Sequence, residues 1–272
     1  MPINSSGQGF SENTLIKQKQ FRKFVDVHLR ICQVIFDKYQ SNYWLSHKYH
    51  YIDLNAGPGI TNEYGEGSPV IFLQESVNHK VDSRCHFVDL EPSTLQELEK
   101  NIEQFPCEAK YFPCANHLAI QNISDMLYTY SRNNKKRLFG LIYSDENGSV
   151  PPFDELAKAF KHKHLESIDI LIYFSATNVK RCLKSDSADR FKRLTEYICS
   201  VPKKHWQIRK AYVGDKHQWS FLFGTNWMGY PEMKELDLHD IQTKKGQSIL
   251  ESLTFTNKEL ENIAQLEIDF DI

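Results

Sequence analysis

The amino-acid sequence predicts an α/β fold: a Rossmann-like sheet that is mostly parallel, with an antiparallel edge and helices on both faces. Short apolar runs alternate with helical patterns five times along residues 51–174. The first of these runs ends in a glycine-rich turn, which is typical of ligand-binding sheets of this class. Two further strand-like runs, 207–213 and 218–225, follow each other without a helix. The alternation predicts parallel strands joined by right-handed crossovers, and the final pair predicts the antiparallel edge.

Each element is predicted from its apolar spacing and its flanking residues. Apolar residues at near-helical spacing, broken by Lys and Arg, predict a first helix over residues 11–48. Strands are expected at apolar runs bounded by turn residues: 51–54, 85–90, 110–113, 138–144 and 168–174. The other helices are expected over 66–77, 93–102, 118–130, 153–163, 189–200 and 257–265. Ser68 followed by Pro69 predicts the start of the second helix.

Composition describes an ordinary globular protein. The 272 residues are 40% hydrophobic and 25% charged, with a net charge of −2, and they contain neither an apolar run long enough to span a membrane nor a signal-peptide pattern. We therefore expect a cytoplasmic protein without a membrane anchor. We expect one main domain over residues 49–230, an N-terminal helical extension over 1–48 and an acidic C-terminal extension over 231–272.

The six cysteines indicate reduced thiols and no metal site. They form no CxxC pair, which fits free thiols in a reducing compartment. Cys107, Cys114 and His117 are close in sequence, but their spacing fits no standard zinc site. We expect no metal ion.

The turn after the first strand indicates the class of ligand. It carries Asp53, Asn55, Ala56, Gly57 and Gly59, and the two glycines allow positive φ and close approach of a ligand. It lacks the G-x-G-x-x-G pattern of dinucleotide sites, and its acid would repel a phosphate. S-adenosylmethionine (SAM) has an ammonium, a sulfonium and ribose hydroxyls but no phosphate, and we predict it as the cofactor. The alternative is that Asp53 is a buried acid bonded to the amides of the turn.

The motif residues 51–59, with Gly-Ser-Pro at 67–69, resemble the three-Cys-motif partner family, which has the fold of SAM-dependent methyltransferases. The strand-end residues 145–148 and the strand at 170–175 lie where that family has its counterparts, and the likeness covers about the first two-thirds of the chain. The resemblance implies a SAM-dependent methyltransferase and a protein partner with a cysteine motif. The chain departs from the pattern at Asn55 and, more importantly, at Glu146, where a proline is usual.

The same fold implies roles for residues at the ends of the second and third strands. Asp89 ends the second strand, where a carboxylate can accept from both ribose hydroxyls, and Glu91 is the next candidate. The alternative is an acid favoured by the dipole of the following helix. Asn116 is a candidate for the adenine edge, or else it caps a helix.

Asp145, after the fourth strand, is the predicted catalytic residue, with Asn147 as a weaker candidate. Methyl transfer from a sulfonium needs little acid–base help, so an acceptor oxygen that aligns the nucleophile would supply most of the effect. The alternative is a strand-end Asp that caps the turn at Gly148. A Pro113–Cys114 nucleophile like that of cytosine-5 methyltransferases is not favoured, because it follows the third strand and not the fourth.

Charge in the second half of the chain points to nucleic acid. Residues 132–216 contain 18 Lys/Arg against 10 Asp/Glu, with Trp206, Tyr212 and Trp219 among or near them. Basic side chains neutralise phosphates and aromatic rings stack on bases, so we predict a nucleic-acid acceptor. Solvated helix faces and core aromatics would explain the same pattern. Two other functions stay open: a catalytically silent SAM- or nucleotide-binding sensor, and a small-molecule or protein methyltransferase.

Overall fold

The structure is a computed structural model that describes residues 12–61, 65–146, 150–183, 186–213, 218–227, 231–255 and 259. The chain divides into two compact units. The first contains Met1–Tyr143, His162–Asp169 and Gly229–Leu236, and the second contains Ser144–Lys161, Ile170–Met228 and Asp237–Ile272. Neither unit corresponds to one of the predicted segments 1–48, 49–230 and 231–272, which remain a prediction.

Helices and strands alternate along most of the chain. In order they are α1 Glu12–Lys38, β1 Leu45–Asp53, β2 Ile60–Thr61, β3 Gly65–Glu66, α2 Ser68–Asn78, β4 Ser83–Asp89, α3 Pro92–Ile102, β5 Cys107–Pro113, α4 Asn116–Asn134, β6 Arg137–Ser144, α5 Phe153–Ala159, β7 Ile168–Ser175, α6 Ala176–Cys182, α7 Ser187–Ser200, β8 His205–Arg209, β9 Tyr212–Val213, β10 Gln218–Thr225, β11 Leu238–Asp240 and α8 Lys244–Ser252, with 3₁₀ helices at Lys163–Leu165 and Pro231–Leu236.

The first unit is built on parallel strands in the order β6-β1-β4-β5. Asp53, the last residue of β1, lies opposite Phe87 of β4 and Tyr143 of β6. The strand order reverses at β1, because β4 and β5 extend to one side of it and β6 lies on the other. Ligands of open α/β sheets bind outside the carboxyl ends of the strands at such a reversal.

A buried polar cluster ties α1 to the strands of the first unit. The His28 Nε2 atom lies 3.0 Å from Asp169 Oδ2, and its Nδ1 atom lies 2.8 Å from the Tyr49 hydroxyl. Burial lowers the pKa of His28, but the neighbouring Cys32 and the bond to Asp169 raise it more, to about 10. A buried charge that is paired and hydrogen-bonded is tolerated, whereas removing one partner typically costs about 3–5 kcal/mol. The helix is therefore docked by polar contacts as well as by its apolar face.

The second unit is held by antiparallel pairing. Strand β10 lies between β7 and β8, β11 adds to the far side of β8, and β9 also pairs with β10. Gly224 of β10 makes room for the indole of Trp206, since a Cβ there would lie 2.6 Å from the ring. The predicted α/β fold, with a mixed sheet of the Rossmann-like kind, is confirmed.

Some predicted boundaries are wrong. Residues 45–48 were expected in the first helix but form the start of β1, because α1 ends at Lys38 and a turn follows in which the Leu45 N–H donates to the Asn42 carbonyl. The strand predicted over 207–213 is two strands, β8 and β9. Helices α6 and α8 were not predicted, and the helix expected over 257–265 lies outside the described residues except for Glu259. Among the helices of the described ranges, none is both long and apolar enough to cross a bilayer.

A pair of buried histidines predicts how stability depends on pH. His50 and His86 are fully buried with their rings stacked, centroids 5.8 Å apart. Burial, and after it the charges of Arg84 and Lys48, lower the pKa of His50 to about 3; burial also lowers the pKa of His86. Below about pH 6.5 these two histidines take up protons in the unfolded chain but not in the folded chain. As the pH decreases, the free energy of unfolding therefore decreases by about 1.4 kcal/mol per pH unit for each histidine.

We expect His50→Gln to flatten this acid dependence by about 1.4 kcal/mol per pH unit between pH 6 and pH 4. The measurement is the free energy of unfolding by urea at several pH values, with each variant compared with its own value at pH 7. His162→Gln, at an exposed position, is the control. Equal slopes for the wild type and His50→Gln would show that this histidine is protonated in the folded state.

Candidate functional site

The turn that follows β1 is held from inside by Asp53. This residue is fully buried. Its Oδ2 accepts from the Tyr51 hydroxyl at 2.7 Å and its Oδ1 accepts from the Asn55 N–H at 3.1 Å. Burial, and after it the charge of Asp53, raise the pKa of Tyr51 well above its ordinary value, so the hydroxyl stays a donor. These bonds match the structural alternative for Asp53, and a contact with a ligand ammonium remains a prediction.

Asp89 holds the same turn from the neighbouring strand. Its Oδ2 accepts from the Gly57 N–H at 3.1 Å, and its Oδ1 accepts from the Glu91 N–H at 3.0 Å. Between them, the Ala56 N–H donates to the Val88 carbonyl at 2.9 Å. Asp89 is half-exposed. The structure thus brings Asp53, Asn55, Ala56, Gly57 and Asp89 together, and their binding of a cofactor remains a prediction.

The two glycines of the turn have different roles. Both have positive φ, +60° at Gly57 and +79° at Gly59. A Cβ on Gly57 would meet nothing within 4 Å, whereas a Cβ on Gly59 would lie 2.6 Å from Leu98 Cδ1 and 3.3 Å from Val70 Cγ2. Gly59 is therefore needed for packing against α2 and α3, and Gly57 faces open space.

Two exposed leucines at this edge were missed by the sequence analysis. Leu90 follows Asp89 and is 67% exposed, and Leu118 in the first turn of α4 is 53% exposed. Large apolar side chains left in solvent at the carboxyl end of parallel strands are candidates for contact with a flat apolar ligand. The sequence signal was an apolar residue directly after the strand-end acid.

Glu91 and Asn116 begin helices at the same edge. Glu91 is the exposed N-cap residue of α3, and no side-chain bond caps that helix. Asn116 is the first residue of α4, whose N-cap is Ala115, again without a side-chain bond. The alternative role of Asn116 as a helix cap is therefore wrong, and its predicted contact with adenine remains a prediction.

Asp145 and Glu146 follow β6 and belong to the second unit. Burial, and after it the charge of Asp145, raise the pKa of Tyr173. Glu146 is 8% exposed; its Oε1 accepts from the Ser144 hydroxyl at 3.4 Å and its carbonyl accepts from the Asn178 amide at 2.6 Å. Asn147 lies outside the described residues.

A small pocket beside Glu146, partly open to solvent, has a cavity volume of about 10 Å³, which is room for about one water molecule. Its walls include Pro151, Tyr173, Phe174 and Asn178. The lining is thus mainly apolar, with a carboxylate and an amide at one side. The carboxylate and the amide carbonyl at this side of the pocket offer acceptors to a hydrogen-bond donor at its mouth.

Several basic and aromatic residues of the region 132–216 are internal. Arg190 is 6% exposed, donates to the Thr254 carbonyl at 2.7 Å and pairs with Glu259 at 3.1 Å. Lys203 is buried with its Nζ 3.9 Å from the centre of the Phe160 ring. Trp206 and Trp219 are also buried, so they match the alternative of core aromatics. The exposed basic side chains of the second unit include Arg181, Lys192, Lys204 and Lys210.

Comparisons with known proteins do not identify the chain. No protein-family model and no curated protein matches it. Similar solved structures include a candidate methyltransferase from Thermoplasma acidophilum (11% identity, TM-score 0.36, 68% of this chain and 72% of that one). A candidate class I SAM-dependent methyltransferase from Listeria monocytogenes is also similar (9% identity, TM-score 0.36, 85% of this chain and 71% of that one). So is a SAM-dependent methyltransferase from Methanosarcina mazei (10% identity, TM-score 0.36, 66% of this chain and 92% of that one). Because likeness at this level carries no functional argument, the function has to be inferred from the chain's own residues.

The different surroundings of the glycines predict different costs of substitution. Gly57→Ala should lower the free energy of unfolding by about 1–2 kcal/mol, the cost of a left-handed backbone for an alanine. Gly59→Ala should be less stable than Gly57→Ala by a further amount of about 1–3 kcal/mol, because its methyl group would overlap Leu98. Gly65→Ala is the matched control, since Gly65 also has positive φ and an open Cβ position. Urea unfolding measures all three. A Gly59→Ala variant as stable as Gly57→Ala would contradict these roles.

Proposed function

We propose that the protein is a SAM-dependent methyltransferase. The observation that carries the proposal is the way the turn after β1 uses its amides. The N–H groups of Asn55 and Gly57 donate to the carboxylates of Asp53 and Asp89, and the N–H of Ala56 donates to a carbonyl. A loop that binds phosphate does so with amides directed at the ligand. Here those amides are bonded to protein oxygens and two negative charges lie beside them, which favours a ligand without phosphate.

The edge of the first unit offers acceptors and apolar surface. Asp89 would accept from ribose hydroxyls, and the exposed Leu90 and Leu118 would provide surface for a purine ring. Gly57, with open space where a Cβ would be, allows the ligand to approach the backbone. Asp53 fixes the turn and would add negative charge near the amino-acid end of the cofactor. SAM has the hydroxyls, the purine and the ammonium that these groups would recognise.

SAM, when bound, would supply an electrophilic methyl group: the acceptor's lone pair would form the new bond as the sulfur–methyl bond breaks, leaving a neutral thioether, and the proton of the acceptor would pass to solvent. The protein's part is to align the acceptor. We propose that Asp145, directly after β6, accepts a hydrogen bond from the acceptor's N–H or O–H, with Asn147 as a second acceptor. Positioning of this kind accounts for a large share of catalysis when no strong acid or base is needed.

For the acceptor we propose a nucleic-acid base. The support is the excess of Lys and Arg over residues 132–216 and the exposed cations of the second unit, Arg181, Lys192, Lys204 and Lys210. These side chains would bind phosphates, while the carboxylate of Asp145 would bind an exocyclic amino group. A protein partner with a cysteine motif is supported only by the sequence resemblance.

Glu146 favours a second candidate. The Glu146 carboxylate is next to Asp145 in sequence and lines a small pocket; it would repel phosphates and attract an amine, which would accept the methyl group after losing its proton. The protein would then be a small-molecule or protein methyltransferase, or a silent SAM-binding sensor if Glu146 prevents acceptor binding.

The first prediction concerns the cofactor. We expect titration calorimetry to show SAM binding by the wild type, and Asp89→Asn to weaken it at least about tenfold, because a hydrogen bond to a charged group is worth about 1.5–3 kcal/mol. Asp125→Asn, on the exposed face of α4, should bind SAM normally. Gly57→Ala should bind more weakly than Gly65→Ala despite a similar stability. Absence of SAM binding by the folded wild type would defeat the proposal.

The second prediction concerns the acceptor. With methyl-labelled SAM we expect transfer to DNA or RNA, reduced about 100-fold by Asp145→Ala at unchanged SAM binding. The double variant Lys192→Glu, Lys204→Glu should bind nucleic acid more weakly. The slope of its log binding constant against log salt concentration should be shallower by the amount expected for the loss of about two phosphate contacts. Lys100→Glu, at an exposed position of α3, is the control. Transfer to amines or proteins alone would support the second candidate, and no transfer to any of them would support the sensor.

A further inference from the structure

Three metal-ligating side chains lie together where α1 packs against α2 in the first unit. Asp26 projects from α1, and Glu75 and His79 are four residues apart at the end of α2. A spacing of four residues places two side chains on the same face of a helix. One potential ligand atom from each of the three residues lies within 4.8 Å of the other two.

The contacts of these residues include one hydrogen bond that an ion could replace if its two atoms moved slightly apart. The His79 Nε2 atom lies 2.8 Å from Asp26 Oδ1, and Asp26 Oδ2 lies 3.2 Å from Arg30. Glu75 Oε1 accepts from Arg22 at 2.6 Å, and its Oε2 accepts from Asn78 at 3.2 Å. A metal ion would take the place of the proton between His79 and Asp26.

The two arginines would keep partners if the carboxylates turned to an ion. Arg22 also bonds to Glu66 at 2.5 Å and to Gln74 at 2.8 Å. Arg30 also pairs with Glu235 at 3.0 Å. Neither guanidinium would be left with an uncompensated charge, which would otherwise oppose binding.

The cluster is enclosed on one side and open on the other. The Glu75 side chain is 10% exposed and that of His79 is 16% exposed, whereas that of Asp26 is 38% exposed. An ion could therefore enter past Asp26 and keep water on its solvent side. Partial burial also strengthens the attraction between a divalent cation and the two carboxylates.

We propose that Asp26, Glu75 and His79 form a binding site for a divalent transition-metal ion, with Zn²⁺ as the best-suited ion. Two carboxylate oxygens and one imidazole nitrogen supply three ligands, and water completes a tetrahedral set. Mg²⁺ and Ca²⁺ prefer more oxygen ligands and do not favour imidazole. Binding requires the His79 tautomer with its proton on Nδ1, so that Nε2 can coordinate the ion. The ion would cross-link α1 to α2, independently of any methyltransferase activity.

The test is calorimetric titration of the whole chain with ZnCl₂, after treatment with a chelator and in the presence of a thiol-free reductant. We expect one Zn²⁺ per chain, with binding weakened at least about tenfold by His79→Gln and by Asp26→Asn. The matched control is His162→Gln, because His162 and His164 form an imidazole pair elsewhere in the first unit, with ring centroids 5.4 Å apart. The thermal midpoint should rise with Zn²⁺ in the wild type and in the control, and not in the two cluster variants.

Cobalt distinguishes this site from binding by the cysteines. Co²⁺ bound to oxygen and nitrogen ligands gives visible d–d bands without a sulfur-to-metal charge-transfer band. We expect that spectrum for the wild type and its loss in His79→Gln. No Zn²⁺ binding, equal binding by the cluster variants, loss in His162→Gln, or a sulfur charge-transfer band would each overturn the proposal.

Discussion

The buried carboxylate of Asp53 is the constraint on which the candidate site depends. An ionised group without solvent is costly unless its oxygens are hydrogen-bonded, and Asp53 meets this requirement with the Tyr51 hydroxyl and the Asn55 amide. The Tyr51 ring in turn stacks on Phe72 of α2 with centroids 3.9 Å apart. The end of β1, the turn and the next helix are therefore connected through one polar group and one aromatic pair. The turn is fixed by the same residues that would give it its negative charge.

This arrangement has a consequence for recognition. A glycine-rich turn offers either free amides to an anion or, when acids occupy those amides, a negative edge to a cation or a hydroxyl. In this chain Asp53 and Asp89 both bond to amides of the turn, so the second case applies. The glycine pattern alone does not distinguish the two cases, because both need positive φ and close approach. The acids at the strand ends make the difference.

The sequence predicted the parts of the structure that depend on short-range patterns. It placed Asp53 and Asp89 at the ends of adjacent parallel strands, because strand ends follow from apolar runs and turn residues. It did not predict the start of β1 at Leu45, since these residues follow a helix and a turn without a clear change in apolar spacing. It also overestimated the basic surface. Arg190 and Lys203 look like surface cations in sequence, but their long side chains find a carbonyl, a carboxylate and an aromatic ring inside the second unit. Contacts between residues so distant in sequence cannot be inferred from local composition.

The charges after β6 bear on which acceptor the chain could use. Asp145 and Glu146 are adjacent, and a phosphate near both would be repelled strongly in a partly desolvated pocket. In a nucleotide, however, the base ring and the sugar separate the exocyclic amino group from the phosphate. Carboxylates at the base and cations at the backbone are therefore compatible when the two sets are separate, and the exposed Lys192 and Lys204 are not part of the pocket lining. A free amine needs only the carboxylates. The cations on α7 and before β8 thus add nothing for a small amine, whereas a nucleic acid would use both sets of charges.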